Sequence, residues 1–205
     1  VNGTDVTLTV EEERYRGRLT EPDDPTDRGV LVVPGAGHGP FGDVFDRFTE
    51  AAVVDGTVAR FETWRDRDDL RAKSDDGFAA DLAAGVAFLR ERGCSHVAVV
   101  AKSFGGRLAL EYTPDGVDRM VLWAPAVLFG DHEDRPSVTA ADLARVVAPV
   151  RVLQGDEDEV VGVENARAIA EALPNGELVE LPGEDHSFRT DEERVVEETV
   201  AFLSA

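Results

Sequence analysis

Short β-branched apolar runs alternate along this chain with longer segments in which apolar residues return every three or four positions. The runs at Val6 to Val10, Tyr15 to Leu19, Val30 to Val33, Thr57 to Phe61, Val97 to Ala101, Arg119 to Trp123, Val150 to Gln154 and Leu178 to Leu181 read as strands, the first two as an antiparallel edge. Between them, Phe41, Val44, Phe45, Phe48 and Ala52 share one helical face, as do Phe78, Leu82, Val86 and Leu89. The second helix has Asp75 and Asp76 in its first turn and Arg90 and Arg92 before Gly93, which suits the helix dipole and a glycine stop. Ala166, Ile169, Ala170 and Leu173 repeat the pattern before Pro174, and Thr190 with Glu193 suggests a capping box opening a last helix that carries Val196, Val200 and Leu203. Such alternation predicts an α/β fold: a doubly wound, mostly parallel sheet of about seven or eight strands flanked by helices.

No repeat, low-complexity stretch or linker interrupts the pattern. Its 205 residues are expected to form one domain, 1–205, around a single core. The stretch from Ala124 to Pro149 has room for a short helix and loop, not for a large lid.

Charge changes the list of partners. The chain carries 42 Asp and Glu against 21 Lys and Arg, a formal net charge of −21, so phosphate-rich nucleic acid is an improbable partner. Of the cations only Lys73 and Lys102 are lysines, and the acids are dispersed rather than gathered in a tail. This composition resembles that of proteins from salt-accumulating halophilic archaea, whose surfaces depend on counterions to screen self-repulsion. No apolar run approaches the roughly 20 residues that span a bilayer, and the start VNGTDVTLTVEEE lacks the basic and apolar regions of a signal peptide. A cytoplasmic protein without a membrane partner is expected. Cys94 is the only cysteine, so a disulfide within the chain and a cysteine metal cluster are excluded.

Candidate chemistry begins after the fifth run. HVAVVA leads into Lys102-Ser103-Phe104-Gly105-Gly106, and helical character follows at once. Strand, sharp turn and helix with a serine at the turn form a nucleophile elbow, which needs small residues two before and two after the serine; Ala101 and Gly105 supply them. The usual pattern is G-x-S-x-G, and Ala101 departs from it. On this motif alone, a serine capping a helix reads as well.

The rest of the chain decides between them. VRVLQ is followed by Gly155-Asp156-Glu157-Asp158-Glu159-Val160-Val161, and ELVELP by Gly183-Glu184-Asp185-His186-Ser187-Phe188. These resemble the G-x-x-D-x-x-V and G-x-x-H-x-F segments of α/β-hydrolases, which implies Asp158 as acid and His186 as base for Ser103; strand spacing alone leaves Asp156 open as the acid. A serine hydroxyl attacks once an imidazole takes its proton and a carboxylate fixes the imidazole's tautomer. Three such residues in the chain order of this fold, each after a strand, are a rare coincidence.

A further feature, Pro34-Gly35-Ala36-Gly37-His38-Gly39-Pro40, follows the third strand, where the fold's first oxyanion donor belongs. Ala36 is the expected donor, Gly37 the second choice, and the N–H of Phe104 the other partner. Nearly the whole chain is thus similar to the small lidless α/β-hydrolases related to dienelactone hydrolase. That resemblance implies a serine hydrolase cleaving a small-molecule ester, carboxylesterase-like, through an acyl-enzyme and without cofactor or metal. The lactone activity itself is not implied, since dienelactone hydrolase uses a cysteine where this chain has Ser103. An acyltransferase, or a non-catalytic binding protein on the same fold, are the alternatives; oligomeric state is left open.

Trp64, Trp123, Leu128, Phe129 and Phe188 lie after strands or beside triad segments and are the candidate pocket wall, with ordinary core as the competing role. His38 is a possible substrate contact. His132 belongs to a solvated acidic loop, Arg107 to a structural charge pair, and Cys94 to the core.

Overall fold

A computed structural model describes residues 3–37, 39–133 and 135–205. In chain order it contains β1 (Thr4–Val10), β2 (Glu13–Thr20), β3 (Arg28–Val33), α1 (Asp43–Ala52), β4 (Thr57–Phe61), α2 (Arg67–Ala72), α3 (Asp75–Arg90), β5 (His96–Lys102), α4 (Phe104–Tyr112), β6 (Arg119–Trp123), β7 (Leu128–Phe129), β8 (Ser137–Val138), α5 (Ala140–Leu143), β9 (Val150–Gly155), α6 (Val163–Ala172), β10 (Gly176–Leu181) and α7 (Glu192–Ser204). Eight strands form one sheet in the order β1-β2-β4-β3-β5-β6-β9-β10. β1 pairs β2, and β2 pairs β4, antiparallel; every other ladder in that sheet is parallel. This is the doubly wound sheet the alternation predicts, with all eight runs in it.

Residues along a strand point to opposite faces in turn, and that period sorts the core into two layers. Val30, Val32, Val100, Val121 and Trp123 pack under α1 and α7 with Phe45, Phe48, Val195 and Phe202. Leu31, Val33, Val99, Ala101, Met120 and Leu122 pack on the other side with Phe78, Leu82, Leu89 and Ile169 from the helices there. Because both faces are covered, the central strands read as unbroken apolar runs. Phe48 is wholly buried, and truncating such a side chain to alanine costs about 3–5 kcal/mol.

Local chemistry sets the element ends. The Ser74 side chain accepts the Gly77 N–H to open α3, and Arg90 sits in its last turn. The cap of α7 differs from expectation: Asp191, not Thr190, accepts the Arg194 N–H, while the Thr190 hydroxyl donates to Gly183 O. The acid one residue later reaches the helix end, so the threonine is free to tie back the preceding turn. Residues 124–149 hold α5 and two two-residue strands, β7 and β8, paired with each other.

Lys73 reaches under β2 and α3. Its ammonium donates to Tyr15 Oη and Thr63 O, each at 2.9 Å, and to the buried Asp81 carboxylate. Burial pushes the Asp81 carboxyl up against the pull of Lys73.

Candidate active site

Ser103 stands between β5 and α4 with φ 53° and ψ −116°, a left-handed conformation that costs a residue with a Cβ about 1–3 kcal/mol. Its surroundings hold it there: Ser103 N–H donates to Trp123 O at 2.8 Å, and its carbonyl accepts from Gly106 N at 3.0 Å and Ala126 N at 2.9 Å. The turn is tight enough that a Cβ on Gly105 would lie 2.5 Å from Pro34 O, whereas Ala101 fits, its methyl fully buried. The Ser103 hydroxyl does not cap α4; it is turned toward the histidine.

Ser103 Oγ lies 2.9 Å from His186 Nε2, and His186 Nδ1 lies 2.8 Å from Asp158 Oδ2. The second Asp158 oxygen accepts the N–H groups of Val160 and Val161 at 2.8 and 3.0 Å. Gln154 Nε2, at the end of β9, donates to Asp158 Oδ2 at 2.7 Å and to Val161 O at 3.0 Å. The Asp158 side chain is fully buried, which pushes its carboxyl up, but the bonds from His186, Val161 and Gln154 outweigh burial and hold it below the usual carboxylate range. His186 keeps 21% of its side chain exposed, so the hydrogen-bonded row opens to solvent at the serine end. Asp156 is exposed and bonds elsewhere, accepting the Gly183 N–H at 2.7 Å.

The histidine rides on the loop between β10 and α7. That loop crosses β9 so closely that a Cβ on Gly155 would sit 2.1 Å from Glu184 O. Glu184 is buried, and its carboxylate accepts the N–H groups of Thr190 and Asp191, tying the loop to the start of α7. Behind His186, Lys102 Nζ donates to the His186 main-chain oxygen at 3.0 Å and lies 4.4 Å from the centre of the Phe188 ring. Burial brings the Lys102 pKa down to about 8, against the upward pull of Asp158, Asp185, Glu184 and Glu192. Neither Gln154 nor Lys102 was among the sequence candidates.

The loop after β3 comes up against the elbow: a Cβ on Gly35 would lie 3.2 Å from Ser103 Cβ. Ala36 is half-buried and Gly37 exposed beside it, and Phe104 opens α4, where a helix leaves its N–H groups without internal acceptors. His38 lies outside the described residues.

Three of the expected pocket aromatics, Trp64, Trp123 and Phe188, belong to the core instead. Trp123 follows Val121 onto the α1/α7 side of β6, fully buried, stacked on Phe45 at 5.7 Å and edge-on to Phe48 at 5.6 Å, with Nε1 donating to Thr199 Oγ1. Phe188 is likewise fully buried in that layer. Trp64 is buried against the loop after β3: its Nε1 donates to Gly35 O at 3.3 Å, and its ring meets Phe78 and the half-buried Phe104 edge-on. Phe129 stays half-exposed on β7, its N–H held by Asn165. Arg107 pairs with Glu111 on α4, and Cys94 is buried.

A groove of about 350 Å³ opens at the other end of the sheet, among the amino ends of β3, β5 and β6 and the end of α7. Ser204 and His96 line it, but the Ser204 hydroxyl donates to Asp55 Oδ2 at 3.0 Å while His96 faces Asp27 and Asp118, so no serine–histidine pair forms there and its volume does not make it the reaction site.

The family model described as dienelactone hydrolase family matches residues 42–203. No curated protein sequence matches the chain. Among solved structures, the dienelactone hydrolase from Anabaena variabilis is similar at TM-score 0.83 and 19% identity, covering 99% of this chain and 97% of that one. Est1E from Butyrivibrio proteoclasticus follows at TM-score 0.82 and 15% identity, covering 99% and 98%. XC6422 from Xanthomonas campestris, described as an α/β serine hydrolase without a lid, is similar at TM-score 0.73 and 21% identity, covering 100% and 93%. With a family match over most of its length and the sheet and helices of the α/β-hydrolase fold, the chain belongs to the dienelactone hydrolase family.

Proposed function

We propose that this protein is a carboxylesterase-like serine hydrolase that cleaves small esters through an acyl-enzyme. The observation that carries the reading is the continuous hydrogen-bonded row from Ser103 Oγ through His186 to Asp158. His186 Nε2 takes the Ser103 proton as Oγ attacks the ester carbonyl, then returns it to the departing alkoxide, leaving Ser103 acylated. Water, deprotonated by the same nitrogen, attacks the acyl carbon; the imidazolium then returns that proton to the departing Ser103 Oγ as the acid is released. Asp158 stays ionised throughout and stabilises the imidazolium, a task its depressed pKa suits. The oxyanion of each tetrahedral intermediate is received by the N–H of Phe104 and that of Ala36, with Gly37 as the second choice. The half-exposed Phe129 and Phe104 are the apolar groups offered to the substrate, Trp64 packing edge-on against Phe104.

Among the described residues of 124–149 there are only short elements, which favours short acyl groups over long ones. The test is incubation with a fluorophosphonate probe in high salt, with mass-spectrometric mapping and a p-nitrophenyl acetate assay. Modification at Ser103 with loss of esterase activity is expected. An intact Ser103 after prolonged exposure of folded protein would refute the reading.

A further inference from the structure

The strand that delivers Ser103 also reaches His186 from behind. Lys102, the last residue of β5, bonds the histidine's main-chain oxygen at 3.0 Å, while Ser103 Oγ, on the next residue, meets its Nε2 at 2.9 Å. One dipeptide therefore grips the histidine at backbone and ring together. We propose that Lys102 is a positioning residue for the proton-accepting imidazole: by holding the His186 carbonyl and the Phe188 ring, it sets the loop where Nε2 meets Ser103 and Nδ1 meets Asp158.

The loop needs such a tie. Phe188 has φ 59°, a left-handed conformation that costs a bulky side chain about 1–3 kcal/mol and persists only where the surroundings impose it. Its nearby main-chain bonds are local ones, Ser187 N–H to the Asp185 carboxylate and Phe188 N–H to Asp185 O. Glu184 anchors one end of the loop to α7; Lys102 anchors its centre to the strand of the nucleophile. The choice of side chain points the same way. A half-buried, largely desolvated ammonium is costly, as its depressed pKa reflects, and a methionine of similar length would fill the space beside Phe188 without that cost. What methionine would lack is the bond to His186.

This inference rests on the serine-hydrolase reading above, and the experiment separates the two. Wild type, Lys102→Met, Lys102→Gln and Lys102→Arg are compared for the rate of fluorophosphonate labelling at Ser103, for kcat and KM on p-nitrophenyl acetate, and for Tm. A misplacement of about 1 Å in reacting groups costs about a hundredfold in rate, so Lys102→Met should lower labelling and kcat by about tenfold or more. KM should stay near wild type, and Tm should hold or rise, because a desolvated charge has gone. Lys102→Arg, whose guanidinium can reach the carbonyl and stack on Phe188, should recover most of the rate. If Lys102→Met does not fold, Lys102→Gln, polar but one bond too short, carries the same comparison. Wild-type labelling and kcat in a folded Lys102→Met or Lys102→Gln would overturn the role, as would losses that merely track a fall in Tm and are not restored by arginine. Failure of the wild type itself to label at Ser103 would remove the hydrolase reading, and this inference with it.

Discussion

Replacing Asp158 by asparagine exchanges one oxygen for a nitrogen, and the surrounding donors dictate which way the amide must face. Val160 and Val161 N–H both point at Oδ1, at 2.8 and 3.0 Å, so the asparagine carbonyl has to occupy that side. Its NH2 then faces His186 Nδ1 and Gln154 Nε2, which lie 2.8 and 2.7 Å from the present oxygen. A neutral imidazole facing a donor must use that nitrogen as acceptor, which moves its proton to Nε2, against Ser103 Oγ. The base is then blocked. The same exchange in the serine-protease triad lowers kcat by about 10,000-fold with geometry intact, about 5.5 kcal/mol, and a loss of that order is expected here. Gln154 can turn away only by giving up its bond to Val161 O, so stability should also fall, by about 1–2 kcal/mol. Asp156→Asn, which touches only the bond from Gly183 N–H, should leave kcat close to wild type. The assay is kcat for p-nitrophenyl acetate in high salt, with urea unfolding of each variant. A folded Asp158→Asn protein within about tenfold of wild type, or a greater loss at Asp156, would refute the reasoning.

Ser103→Ala should fold but lack esterase activity, and Ser103→Gly should unfold at the higher temperature of the two. The φ of 53° costs alanine about 1–3 kcal/mol, whereas glycine's extra freedom in the unfolded chain costs about 0.4–1 kcal/mol, so the reverse order by calorimetry would deny strain at the elbow. With 42 acidic against 21 basic residues, Tm should climb as salt rises from 0.1 M, where the screening length is about 10 Å, to 1 M, where it is about 3 Å; a flat or falling Tm would contradict it. The folded Lys102 pKa of about 8 lies below the ordinary 10.5, so the unfolded chain holds a proton that the folded one has released between those values, and the stability of wild type relative to Lys102→Met should rise across that window. The gain is at most about 3 kcal/mol at 1.36 kcal/mol per pH unit; a constant difference between the two from pH 7 to pH 10 would show an unshifted lysine.

The sheet was legible because its central parallel strands, covered on both faces, must be written in β-branched apolar residues, and the flanking runs alternate; all eight runs became strands. The two-residue β7 and β8 were not, being too short to show a period. Nor was α2, which buries none of its residues and is opened by Asp66 accepting two N–H groups, so no apolar stripe marks it. The sequence brought Ser103, Asp158 and His186 into one candidate site, and the distances place them together. It misjudged Trp64, Trp123 and Phe188, all three buried in the core: Trp123 ends β6, whose alternation turns it under α1 and α7, and for Trp64 and Phe188 a place in a loop beside a strand or a site residue does not fix the side to which the ring turns. Gln154 and Lys102 did carry a signal: each is a polar residue at the end of a run of buried apolar ones, and burial obliges such groups to find partners.

Lys73 and Lys102, the chain's only lysines, both point inward, each occupied by bonds within the fold. To an acylating reagent that seeks lysine side chains, the outside of this molecule is therefore close to blank, its cationic side chains there being guanidinium. Crosslinking, dye attachment or coupling to a resin through lysine would proceed slowly in the native state. The first side chain to yield should be Lys102, whose lowered pKa leaves more of it unprotonated, and that event would cut the tie to His186, so coupling yield and surviving activity would move in opposite directions.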